Sequence, residues 1–251
     1  MAFSKWNNFG LGGYMKDHKS LAAQFEKKIN LLVVDDDPYL LSSLVDLFSS
    51  PAFNVVSAAT LDHARAVQSK VKGGWHCWVL DIDLGMGGSG LGLIKENPGY
   101  PFALVLSGLR SMSVASEALA LGALKAFDKD PRSLDALFAE VCEVAAMGFV
   151  LRGKQTKNLP VFMLLRDPSV RTVNDWAEKA HITMRQLARI CEAHQSIHAR
   201  EYIALYNTCL HFLSIGGDSN KSRASSSYVS FLEDCFEYTS SHGEALQRLL
   251  Q

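Results

Sequence analysis

From residue 29 onward, short apolar runs alternate with amphipathic stretches five times, and no other feature of the chain restricts its fold so tightly. The runs Ile29–Val34, Phe53–Ala58, Trp75–Leu80, Phe102–Leu106 and Leu124–Phe127 predict strands. Between and after them, Tyr39–Ser49, Leu61–Val71, Leu91–Lys95, Met112–Leu121 and Leu134–Met147 predict helices. Thr60 and Ser133 stand where the caps of the second and fifth helices belong. A strand followed each time by a helix implies a parallel sheet covered on both faces. The unbroken run Leu31–Val34 suits a strand buried on both sides. The expected class is α/β, a five-stranded parallel doubly wound sheet, followed by an all-α domain.

In such sheets chemistry collects beyond the carboxyl ends of the strands. The first predicted strand runs into Asp35, Asp36 and Asp37, and the third into Asp81 with Asp83 beyond it. The fourth ends at Ser107, and Lys129 follows the fifth. Carboxylates a few ångströms apart repel one another, and a hard divalent cation relieves that repulsion. Mg²⁺ also neutralises a phosphoryl group in transfer, leaving a hydroxyl and an ammonium to hold its remaining oxygens.

The segments Ile29–Pro38 (INLLVVDDDP), Trp75–Leu84 (WHCWVLDIDL), Ala103–Gly108 (ALVLSG) and Gly122–Lys129 (GALKAFDK) resemble the receiver domain of two-component response regulators. The separations of 45 residues from Asp36 to Asp81, 26 to Ser107 and 22 to Lys129 suit that family. The resemblance implies a flavodoxin-like fold in which Asp81 accepts a phosphoryl group from a sensor histidine kinase or phosphotransfer protein. It further implies that Asp35 and Asp36 bind Mg²⁺, joined by Asp81 and the main-chain carbonyl of Asp83. Ser107 would be the switch hydroxyl, and Lys129 the partner of the phosphoryl oxygens. Three positions depart from the family pattern. Gly85 replaces the usual proline and opens a loop one residue longer, Ala126 occupies the aromatic switch position beside Phe127, and Asp130 intervenes before Pro131.

Two weaker motifs lead elsewhere. Gly85–Gly90 (GMGGSG) satisfies a dinucleotide fingerprint, but that fingerprint belongs after the first strand, where this chain has three aspartates. Cys191, His194 and His198 share helical spacing, yet with no fourth ligand nearby they read as ordinary helix residues.

Formal net charge is −1 over 251 residues, which argues against a chain that coats nucleic acid by bulk charge. The distribution is uneven. Residues 1–150 carry 13 basic and 16 acidic side chains, 151–213 carry 9 and 5, and 214–251 carry 3 and 5. Within the basic island, Val173, Trp176, Ala177 and Ala180 form an apolar stripe, and Thr183-x-x-Gln186 is a capping box that starts a second helix. That helix would bury Leu187, Ile190 and Cys191 and present Arg185, Gln186 and Arg189. Such a pair has helix-turn-helix geometry, in which Arg pairs with guanine and Gln with adenine. The stretch Val173–Tyr202 resembles the first helix-turn-helix of AraC-type transcription regulators, although the second expected in that family has no counterpart after Leu213. By this resemblance Arg185, Gln186 and Arg189 contact bases or phosphates of promoter DNA, and a homodimer supplies two reading helices. The alternative is a receiver whose helical segment binds another protein and no DNA.

The expected organisation is an extension over 1–27, a receiver over 28–149, a linker over 150–160 and a helical output domain over 161–251. A soft stretch, Gly216–Ser227 (GGDSNKSRASSS), reads as a loop. No apolar run approaches the length needed to span a bilayer, no secretory signal is evident, and five scattered cysteines suit a reducing cytoplasm. After residue 150 there is no paired-carboxylate or nucleophile–base set, so the chain is expected not to be an enzyme.

Overall fold

The computed structural model describes residues 29–216, apart from 51, 69, 72–73, 99, 101, 109–111, 154–155 and 196–197. The expected extension over 1–27, most of the Gly216–Ser227 stretch and the acidic segment 218–251 lie outside the described residues. Five strands are present: β1 (Ile29–Val34), β2 (Phe53–Ala58), β3 (Cys77–Asp81), β4 (Ala103–Ser107) and β5 (Lys125–Asp128). They alternate with α1 (Pro38–Leu47), α2 (Leu61–Gln68), α3 (Leu91–Glu96), α4 (Met112–Ala120) and α5 (Leu134–Val150). All strand pairs are parallel, in the order β2-β1-β3-β4-β5. That is the flavodoxin-like doubly wound order, whose switch point lies between β1 and β3.

Strand alternation sorts the core into two layers. Leu32, Val34, Trp78, Leu80, Ala103 and Val105 pack with Leu61, Ala64, Leu93, Ile94 and Ala118 from α2, α3 and α4. On the opposite face α5 lies on β1 and β3, and Phe138 stacks on Phe48 at the end of α1. Asp37 caps α1 by accepting from the N–H groups of Tyr39 and Leu40. Thr60 accepts from the His63 N–H, as a cap should. Ser133 is a correction: it makes no cap bond, because its hydroxyl donates back to the carbonyls of Asp128 and Asp130.

Past α5 the chain forms α6 (Leu159–Met163), α7 (Val173–Lys179), α8 (Met184–Gln195) and α9 (Ala199–Gly216). Both sides of α5 are covered, with the sheet on one and α9 along the other. Its run of buried residues, from Leu137 through Val150 with few breaks, reflects that double covering. Gly148 allows the close approach to the sheet, since a Cβ there would overlap the His76 carbonyl oxygen. The helices past α5 enclose a second core of Phe162, Trp176, His194 and Tyr202, with ring centroids 5.0–6.3 Å apart. The indole Nε1 of Trp176 donates to the Val161 carbonyl at 2.7 Å. All described residues fall in one compact unit. Among them, no helix is long and apolar enough to cross a membrane.

Candidate functional site

β1 and β3 end side by side, and this delivers the carboxylates to one point. Val34 pairs with Leu80, so Asp35 and Asp81 emerge at the same level on the carboxyl rim. Carboxylate oxygens of Asp35, Asp36 and Asp81 lie within 4.8 Å of one another, the first and last buried and the second exposed. Lys129, just past β5, reaches across two strands to this cluster. Its Nζ is 2.8 Å from Asp35 Oδ2 and 2.6 Å from Asp81 Oδ2. The backbone completes the setting: Asp37 N–H donates to Asp35 Oδ1 at 3.0 Å and Asp83 N–H to Asp81 Oδ1 at 3.2 Å.

Burial pushes the Asp81 carboxyl up to about 6, the charge of Asp35 adding to the rise and Lys129 opposing it. Burial works against the Lys129 ammonium too, but the two carboxylates outweigh it and hold its pKa above the ordinary value. The pocket thus holds more negative charge than one lysine neutralises. Three converging oxygen donors and no sulfur or imidazole suit a hard cation such as Mg²⁺, which would be held by Asp35, Asp36 and Asp81.

The other expected residues are placed as follows. Asp83 Oδ1 accepts from Gly85 N–H at 3.0 Å, and its carboxylate is not among the converging three. Ser107 is buried at the end of β4, and its carbonyl accepts from the Lys129 N–H at 3.0 Å. Gly90 N–H donates to the Asp81 carbonyl, and a Cβ on Gly90 would overlap that oxygen. The glycine-rich loop therefore closes over the acidic strand end, with Gly85–Gly87 in a single 3-10 turn. Tyr39 and Met86 stand fully exposed on the segments that flank the cluster.

Sequence reasoning missed a second group of charges, between β5 and α5. Lys125 on β5 reaches Glu140 on α5, which also binds Arg166 past α6. Period-two alternation of Lys125, Phe127 and Lys129 was the available signal.

In the helical segment, α7 starts with a full capping box between Thr172 and Asp175, and His181 takes a left-handed φ of 55° in the turn to α8. The expected Thr183–Gln186 box is present: Gln186 N–H donates to Thr183 Oγ1 at 3.2 Å, and Thr183 N–H to Gln186 Oε1 at 2.8 Å. Arg185, Gln186 and Arg189 are exposed, and Leu187 and Cys191 are buried. Ile190 is only partly covered. Because Thr183 occupies the carboxamide oxygen of Gln186, that side chain has only its amide hydrogens left to offer. His194 Nδ1 lies 3.0 Å from the Tyr202 hydroxyl, and the acidic cluster is the only candidate metal group among the described residues. The four described cysteines are free and buried.

No family model matches the sequence, and no curated protein matches it. Solved structures do. A CheY-like response regulator receiver domain protein from Methanospirillum hungatei JF-1 is 23% identical over 47% of this chain and 97% of its own, with a TM-score of 0.40. A response regulator protein from Burkholderia pseudomallei, solved with a phosphorylated aspartic acid, calcium ion and citrate, is 22% identical over 64% of this chain and 98% of its own, at 0.39. The signal receiver domain of a putative Luxo repressor protein from Vibrio parahaemolyticus is 20% identical over 48% and 92%, at 0.42.

Proposed function

We propose that this chain is a two-component response regulator that takes a phosphoryl group on Asp81 from a histidine kinase or phosphotransfer protein and acts on promoter DNA through α8. The observation that carries the first half is Lys129 bridging Asp35 and Asp81 at the switch point of a parallel sheet. An Asp81 oxygen attacks phosphorus, the bond to the donor nitrogen or oxygen breaks, and the donor leaves with that electron pair. Mg²⁺ held by the three aspartates supplies charge neutralisation when bound. Lys129 and Ser107 then meet the new phosphoryl oxygens, and the exposed Tyr39 and Met86 offer a partner protein apolar surface to bury. The chain is no catalyst of its own output.

The DNA reading rests on Arg185 and Arg189, one turn apart on the exposed face of a helix that follows a tight turn. Gln186 acts chiefly as a cap. A single reading helix needs a second copy for useful specificity, so a homodimer belongs to this reading. The alternative, a helical segment that binds protein and no DNA, draws on the exposed Met184 at the start of the same helix.

Electrophoretic retardation by the full chain separates the two. Binding that weakens steeply with salt favours DNA, and none at low salt favours a protein partner. The full chain is required because removing the sheet together with α5 would strip the cover from α9.

A further inference from the structure

Lys125 and Phe127 alternate on β5 and stand on its α5 face, and Lys129 follows directly after the strand ends at Asp128. At one end Lys129 holds Asp35 and Asp81. At the other, Lys125 Nζ is 2.8 Å from Glu140 Oε2, and 5.0 Å from the centroid of the Phe127 ring. The second oxygen of Glu140 takes Arg166, whose guanidinium also lies 2.8 Å from Glu143 Oε2. Arg166 ends the 3-10 turn that leads toward α7 and α8.

Glu140 is thus a buried carboxylate shared between two cations. One belongs to the strand that runs into the pocket lysine, the other to the helical segment. Burial alone would raise its carboxyl, but the two cations hold it below the ordinary value, so it keeps its charge at neutral pH. β5 is an edge strand, hydrogen-bonded to β4 only, and has no second ladder to fix its position. Ala126 points to the other layer, against the core of α2, α3 and α4, and carries no ring that could swing on this face.

We infer that Glu140 is a positioning residue that relays the state of the Asp81 pocket to the helical segment through Lys125 and Arg166. The relay rests on the phosphoacceptor reading above. When Lys129 is drawn onto a phosphoryl group, the end of β5 moves and Lys125 moves with it. Glu140 is then repartitioned between its two cations, and Arg166 is left chiefly on Glu143. Arg166 then keeps one of the two ionic ties it makes to α5.

Full-length parent, Glu140→Gln and Lys125→Gln are incubated with Mg²⁺ and acetyl phosphate. Intact mass reads phosphoryl incorporation, and amide hydrogen exchange is followed across residues 162–180. In the parent, phosphorylation should speed exchange there about fivefold or more, the low end of ordinary coupling free energies. Both variants should incorporate the phosphoryl group as the parent does, yet show no further change in exchange. The half-exposed Lys125 guards against a Glu140 variant that fails to fold. Normal incorporation with the parent's full response in both variants overturns the relay alone. Absence of incorporation in the parent overturns the phosphoacceptor reading and the relay with it.

Discussion

Lys129 Nζ sits 2.6 Å from Asp81 Oδ2, while the main-chain N–H of the same lysine is bonded to the Ser107 carbonyl. One residue therefore joins the ends of β3, β4 and β5, and any change of charge at Asp81 is felt first at that joint. Coulomb attraction at this distance is large in a partly desolvated site, which is why the lysine is drawn across two strands.

The acceptor is the first test. Asp81→Asn should abolish the mass increase seen with a small acyl phosphate, because the amide oxygen is a poor nucleophile. Asp37→Asn should label as the parent does, since Asp37 only caps α1 and Asn caps equally well. The reverse pattern would show that the wrong aspartate has been assigned.

Metal dependence follows from the crowded charges. Chelation of Mg²⁺ should stop labelling, and Asp36→Asn should weaken Mg²⁺ binding about tenfold, a step of about 1.4 kcal/mol. Lys129→Gln removes the competing cation and should strengthen Mg²⁺ binding. Titration calorimetry reads both, and equal affinities in all three proteins would contradict a site built from these side chains.

A pH-dependent contribution comes from His76. It is buried with Nδ1 accepting from the Asn30 N–H at 2.9 Å, and burial pushes its pKa from 6.5 down to about 4. Between those values the unfolded chain binds a proton that the folded chain does not. Stability is therefore lost as pH falls from 6.5 toward 4, by about 3 kcal/mol. Asp81 acts in the opposite sense: raised from 3.8 to about 6, its contribution is full below 3.8 and lost as pH rises through 6. His76→Asn keeps an acceptor for Asn30 and leaves Asp81 in place, so the difference between parent and variant isolates the imidazole. Urea midpoints should favour the variant more at about pH 4.5 than at about pH 7. A constant gap would mean that His76 titrates normally.

The helical core has its own keystone in Trp176, which has no exposed surface. Trp176→Ala should cost about 3–5 kcal/mol, combining the lost burial with a cavity and the loss of the indole hydrogen bond to the Val161 carbonyl. Urea denaturation measures it, and a loss below about 1 kcal/mol would show that this core closes up readily.

The DNA reading makes a residue-level forecast. Arg185→Ala should lose roughly 1–3 kcal/mol at the preferred site and relax preference at one base pair. Arg171, exposed ahead of α7, should contribute to phosphate binding, so Arg171→Ala weakens binding uniformly and lowers the salt slope by about one. Lys179 is a poorer probe, since it is paired with Asp167 at 2.7 Å. No retardation by the parent would favour the protein-binding alternative.

By itself, the sequence determined the parallel doubly wound sheet and the convergence of Asp35, Asp36, Asp81 and Lys129 on one rim. Both follow from local information: strand and helix periods set the elements, and a residue that ends a buried strand must emerge at its carboxyl edge. The Thr183–Gln186 box was legible for the same reason, as a contact three residues apart. Tertiary structure alone decided that α9 covers the outer face of α5. It alone brought Arg166 to Glu140 across 26 residues of sequence. Such pairings depend on which faces meet after the helices pack, and periodicity reports that a face is apolar or charged without naming what it will meet.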